Sequence, residues 1–219
     1  MSNWVMSEID PALLADLLRE AMNEGKLPFL TVVSNSMSPL IRRGDQIQLA
    51  PATAEQLQPG DIIVYTGQAN LITHRYWGCL VNENETRLVT RGDRPQHFDR
   101  PITPATLVGL VIGRRRKKHF LNLAGGAGKW LNNHLANLAR LEIRLFAEPF
   151  SERFGEPFAK PLAPSTLSPL QQPPAAGSLS RSSNHLLVRL IRRFLYSWAI
   201  ILTIIISEMT RVFNKHTEE

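Results

Sequence analysis

From residue 28 to residue 113 the chain alternates short runs of β-branched and apolar residues with turn residues. The runs cover 29–33, 46–49, 62–65, 71–76, 87–90 and 107–112. Between them stand Arg43-Gly44-Asp45, Pro59-Gly60-Asp61, Gly67, the polar stretch 82–84 and Arg91-Gly92-Asp93. Each run has the length of a strand rather than of a helix, and the glycines and aspartates supply turns. This texture predicts a compact, mainly β domain over residues 28–113.

Helical patterning lies on either side. Residues 1–27 hold one short amphipathic helix. Asp10 is a good N-cap and Pro11 suits the first helical position. Leu13, Leu14, Leu17, Leu18, Ala21 and Met22 then recur at helical spacing, and Gly25 supplies a stop. One helix is too little for a helix-turn-helix reader of DNA. Asp10, Asp16, Arg19 and Glu20 interrupt this end, so neither a cleavable secretory signal nor an N-terminal membrane span is expected.

Residues 114–147 open with five basic residues, Arg114 to Lys118. After the Gly125-Gly126-Ala127-Gly128 break, Trp130, Leu131, Leu135, Leu138, Leu141 and Leu145 form a helical stripe. Residues 148–184, rich in Pro, Ser and Ala, read as a flexible linker. Residues 185–219 read as a last, apolar helix and a possible membrane anchor. There are no internal repeats. The expected whole is a β domain preceded by a short helix and followed by two amphipathic or apolar helices.

At 219 residues the chain has room for one domain plus extra segments or for two small domains, and an apolar fraction of 43% is enough for a packed core. Its one cysteine, Cys79, allows no intramolecular disulfide and reads as a small buried side chain in an apolar run. The histidines other than His74, at 97, 119, 134, 185 and 216, have no ligand-like spacing with Cys or acids, so no metal site and no cofactor are expected.

The most specific stretch is Ser34-Asn35-Ser36-Met37-Ser38-Pro39, followed by Gly44-Asp45. It resembles the S-x-S-M-x-P box and Gly-Asp turn of signal peptidase I and of the related LexA-type self-cleaving repressors. Four further stretches follow in the family's order. Gly60-Asp61-Ile62-Ile63-Val64 is similar to the G-D-I-V strand. Thr73-His74-Arg75 is similar to the T-H-R box of the archaeal and endoplasmic-reticulum branch. Thr90-Arg91-Gly92-Asp93 is similar to that branch's T-K-G-D box, with Arg in place of Lys. Val108-Gly109-Leu110-Val111 is similar to the closing G-K-V strand, with Leu in place of Lys.

The resemblance implies a signal-peptidase/LexA-like β fold and a serine endopeptidase. Ser36 would attack the scissile carbonyl. His74 would be the general base, a role that imidazole suits because its ordinary pKa lies near neutrality. Asp93 would orient the imidazole, as the acid does in a Ser-His-Asp triad. Asp99, six residues on, is a second carboxylate that could share or replace that role. The backbone N–H of Ser36 and the hydroxyl of Ser34 would form the oxyanion hole. Asp45 and Asp61, each following a glycine, are expected to hold turns. Arg75 would pack or pair near the site.

The net charge of +6 admits nucleic acid, anionic membranes or acidic proteins as partners. No aromatic-interleaved motif accompanies the basic run, so nucleic acid is not expected. An anionic membrane surface is, through the basic run and the uncharged stretch 194–206. At 1.5 Å per residue that stretch is roughly 20 Å long, short against a hydrocarbon core of about 30 Å. It suits a short tail anchor or a helix lying in the membrane surface, with packing onto the protein as the alternative; if it spans, Arg189, Arg192 and Arg193 favour a catalytic domain on the cytoplasmic side. Signal peptidases typically carry an N-terminal anchor and a site on the far side of the membrane; with no N-terminal span expected here, this chain is expected to depart from that plan.

The expected activity is therefore cleavage of leader or signal-like peptides, in peptide or preprotein substrates, through an acyl-enzyme. Two other readings stand beside it: a LexA-type self-cleaving regulator, and a non-catalytic binding module on the same fold.

Overall fold

The structure is a computed structural model that describes residues 10–82, 85–95, 97–146, 197–198 and 200–205. It is mainly β. Seven strands form one antiparallel sheet: β1 (Phe29–Thr31), β2 (Gln46–Ala50), β3 (Ile62–Thr66), β4 (Leu71–Asn82), β5 (Glu85–Arg91), β6 (Leu107–Arg116) and β7 (His119–Asn122). Their order is β1-β2-β6-β3-β4-β5. The long strand β6 organises the sheet. Along one edge it pairs with β2; on the other it pairs with β3 near its start and β7 near its end.

Alternation along β3 explains the two-sided core. Ile62 and Val64 face the larger apolar cluster, and Ile63 and Tyr65 the smaller one. All four are buried, so the run reads as continuously apolar. Helix α1 (Pro11–Asn23) covers the larger cluster with Ala15, Leu18 and Met22. Asp10 caps it by accepting the Ala12 N–H at 2.9 Å. Gly109 lets α1 approach: a Cβ there would sit 2.8 Å from the Ala50 carbonyl oxygen and 3.2 Å from Met22 Sδ.

Strand β4 outruns its expected end at residue 76. It passes through a bulge at Gly78, whose φ is +142°, and continues to Asn82 against β5. Cys79 lies on this extension, partly buried against the smaller cluster.

The boundary expected at residue 113 falls inside β6. The basic run is strand and hairpin, and most of its charge is used within the fold. Arg114 is buried and donates to the Leu40 carbonyl at 3.2 Å. Burial, and then the neighbouring Arg116, pull its pKa down to about 10. Arg116 makes a two-pronged pair with Asp45, at 2.8 and 2.7 Å. The Arg115 guanidinium lies 3.9 Å from the centre of the Phe29 ring. Lys117 and Lys118, at the hairpin tip, are exposed.

Helix α2 (Gly126–Phe146) follows β7 and packs back onto the sheet. Leu131 and Leu135 belong to the larger cluster, and Ala136 is also buried. The expected linker over 148–184 lies outside the described residues. Of the expected last helix, residues 197–198 and 200–205 are described and helical. There Leu202 packs against the larger cluster and Thr203 is buried, while Trp198, Ile201, Ile204 and Ile205 are exposed. Among the described residues no helix is long and apolar enough to cross a membrane.

Candidate functional site

Ser36 opens a turn whose underside is fixed. Met37, Leu40 and Ile41 beneath it are all but fully buried. The Val32 N–H donates to the Asp45 carbonyl and the Gly44 N–H to the Val32 carbonyl, both at 2.8 Å, joining the approach strand to the Gly44–Asp45 turn. Asp45 accepts the Arg42 N–H at 2.8 Å, and Asp61 takes the Gln58 N–H in the same way, so both aspartates hold turns. Arg114 and Arg116, converging on the Leu40 carbonyl, anchor the far end of the Ser36 turn.

Ser36 Oγ lies 3.1 Å from Ser34 Oγ. The Ser36 carbonyl accepts the Arg94 N–H at 2.8 Å, which ties the turn to the segment after β5. The Ser36 N–H donates to no backbone oxygen among the described residues.

His74 lies on β4 opposite Ile63 of β3 and is almost wholly buried. Its Nδ1 is 2.6 Å from Asp99 Oδ2. A carboxylate there favours the tautomer with the proton on Nδ1, leaving Nε2 as a lone-pair base. The same carboxylate oxygen accepts from Thr90 Oγ1 at 2.7 Å and from Tyr65 OH at 3.2 Å. Thr90 holds Asp99 a second time, since its carbonyl accepts the Asp99 N–H at 2.9 Å. Burial, more than the nearby Asp99, pushes the Tyr65 pKa up, so its hydroxyl keeps its proton and remains a donor.

Asp93 does not meet the imidazole. It receives the Arg75 guanidinium through two hydrogen bonds, Nε to Oδ1 at 2.8 Å and Nη2 to Oδ2 at 2.7 Å. Arg75 is fully buried and also donates to the Gly60 carbonyl and to Asn132 Oδ1. A buried guanidinium is tolerable only when paired, and Asp93 is the charge that pairs it. The position beside His74 expected for Asp93 is held by Asp99.

Gly92 marks where Ser36 and His74 converge. A Cβ on it would stand 2.9 Å from the Ser36 carbonyl oxygen and 3.0 Å from His74 Nε2. Those two atoms are therefore no farther apart than the sum of these distances. Ser34, Ser36 and His74 also line one groove of about 460 Å³. Its lining draws on residues 30–34, on residues 69–74 and on Pro11 and Leu14 of α1. Residues of β1 and β4 are among that lining, and strand backbone beside a groove can take up an extended peptide.

Among the described residues no group of three or more His, Cys, Asp or Glu side chains could hold a metal ion. Compared with known proteins, the chain matches no family model and no curated protein.

The arrangement supplies a hydroxyl, an imidazole oriented by a carboxylate, a second hydroxyl beside the first, and a groove leading to them. Sequence reasoning missed Thr90 and Tyr65 as the supports of Asp99. Thr90 lies in a stretch that the resemblance singled out, but nothing in the sequence aims its hydroxyl at residue 99.

Proposed function

We propose that this protein is a serine endopeptidase of the signal peptidase I type, with Ser36 as nucleophile, His74 as general base and Asp99 as the acid that orients it. What carries the reading is the 2.6 Å hydrogen bond between His74 Nδ1 and Asp99, which leaves Nε2 on the side of the Gly92 gap and Ser36. The sheet and the order of the five sequence boxes support a signal-peptidase-like fold.

Ser36 Oγ turns from Ser34 towards His74 when a peptide fills the groove. Catalytic hydrogen bonds commonly close only in the substrate complex. Nε2 takes the hydroxyl proton as Oγ attacks the carbonyl carbon, and Asp99 stabilises the imidazolium. The Ser36 N–H and the Ser34 hydroxyl hold the oxyanion. Collapse of the tetrahedral intermediate breaks the C–N bond, and Nε2 returns its proton to the leaving amine. Water, activated by the same imidazole, then hydrolyses the acyl-Ser36 ester.

The substrate is a leader or signal-like peptide bound in extended form. The protein works at an anionic membrane surface with its catalytic domain on the cytoplasmic side. Because Arg114, Arg115 and Arg116 are engaged within the fold, the attraction rests on Lys117, Lys118 and the arginines near residue 190. Vesicles containing anionic lipid should bind the protein, and about 0.5 M salt should release it.

The deciding experiment is digestion of an extended-peptide library by wild type and by Ser36→Ala, read by mass spectrometry. Wild type should cut at one consistent motif and Ser36→Ala should not cut. Equal cutting by both proteins refutes the reading. Ser36-dependent cutting of the chain itself, with no library product, would instead mark a self-cleaving regulator, and binding without any cleavage a binding module.

A further inference from the structure

Of the three strand residues that contact Asp99, His74 and Thr90 are each followed by an arginine. Arg75 and Arg91 are direct partners across the β4–β5 pair. Side chains alternate along a strand, so these arginines leave the face that His74 and Thr90 use. Both are buried, Arg75 completely and Arg91 to 3% exposure.

Each arginine joins the same two parts of the molecule. Arg75 binds Asp93 and donates to Asn132 Oδ1 at 2.7 Å. Arg91 donates to the Pro95 carbonyl at 2.9 Å and lies 3.2 Å from Glu142 Oε1. Asn132 and Glu142 are both on α2, roughly 15 Å of helix apart. Asp93 and Pro95 flank Arg94, whose N–H holds the Ser36 carbonyl. A guanidinium is a rigid planar fork, so fixing one edge constrains what its other edge can hold.

We propose that α2 is a working part of the site, with Asn132 and Glu142 as positioning residues. Through Arg75 and Arg91 they fix the turn at Asp93, Arg94 and Pro95, and so the distance between Ser36 and the His74–Asp99 pair. This rests on the reading of Ser36 and His74 as the catalytic groups. Asn132 and Glu142 touch neither Ser36 nor His74 themselves; they act on the reacting atoms through the two arginines.

The test is amide hydrogen exchange by NMR in a Ser36→Ala background, where no turnover is needed. Asn132→Leu should speed exchange at Arg94 and Asp99 by about tenfold, while the Ile63 and Val64 amides of β3 keep their rates. Asn132→Asp, which keeps an acceptor for Arg75, should restore the slow exchange. With Ser36 present, Asn132→Leu should lower kcat by about tenfold and leave KM within about twofold. Exchange at Arg94 unchanged by Asn132→Leu overturns the proposal. So does equal acceleration in β3, which would mean plain loss of stability. Should Asn132→Leu fail to fold, Glu142→Gln is read at the same amides against the same criteria. A Ser36→Ala protein that still cleaves peptides would sink the peptidase reading and leave this coupling to be judged by exchange alone.

Discussion

Asp99 Oδ2 sits 2.6 Å from His74 Nδ1, while Asp93, close by in sequence, is turned to the Arg75 guanidinium. The two carboxylates therefore carry different burdens. Asp93 neutralises a fully buried charge, and Asp99 orients an imidazole. Replacing each by its amide should separate stability from catalysis.

Asp93→Asn takes from Arg75 the counter-charge that is hydrogen-bonded to it in the interior, which costs about 3–5 kcal/mol. Its urea midpoint should fall sharply. Asp99→Asn keeps the shape but no longer favours the Nδ1–H tautomer, and kcat should fall by about 10⁴. Its stability should change by about 1 kcal/mol, the scale of one hydrogen bond. Urea melts and peptide cleavage on both variants check this. The division of roles is wrong if Asp93→Asn proves the more damaging to kcat at equal folded concentration.

Asp61 gives a pH signature for stability. Burial raises its pKa, against the opposing hydrogen bond from the Gln58 N–H and the charges of Arg75 and Lys129. The folded protein thus holds this proton more tightly than the unfolded chain, where the value is about 3.9. The resulting stabilisation is fully present below that value and is lost as pH rises through the folded pKa. Asp61→Asn does not titrate and keeps an oxygen for the Gln58 N–H. Between about pH 3.5 and pH 7 the stability difference should therefore move in favour of Asp61→Asn. Urea midpoints of both proteins across that range measure it, and a shift towards wild type would contradict the raised pKa.

Much of this site was legible in sequence because its local parts are local. Asp45 and Asp61 each cap a backbone N–H three residues earlier, and a Gly-Asp turn announces that geometry. Ser36 and His74 lay in stretches whose order pointed to them, and both line the same groove. The choice between Asp93 and Asp99 was not legible. Both follow β5, and which one meets His74 depends on where Arg75 places its fork, itself fixed from α2. The basic run misled for a similar reason. Charge density suggests a surface, but the acceptors for Arg114 and Arg116, at Leu40 and Asp45, lie some seventy residues earlier. Helix α2 was recognised from its stripe, whereas the contacts of Asn132 and Glu142 depend on tertiary packing that no periodicity encodes.

Gly92 offers the sharpest steric test of the site. Its missing side chain leaves a space bounded by the Ser36 carbonyl at 2.9 Å, Pro95 Cδ at 2.7 Å and His74 Nε2 at 3.0 Å, measured from where a Cβ would stand. Two of these neighbours have little freedom. The carbonyl is backbone held by the Arg94 N–H, and the proline ring is stiff. A methyl group must therefore push the imidazole away or part the Ser36 turn from Arg94. Either displacement opens the path along which the proton leaves Ser36, and a misplacement of about 1 Å can cost about 10² in rate. Gly92→Ala should thus lower kcat by about that factor. The Nδ1–Asp99 hydrogen bond should survive, seen as a downfield imidazole proton in the NMR spectrum. Full activity in Gly92→Ala would mean that Nε2 needs no open approach from this side, and the base would have to be sought elsewhere.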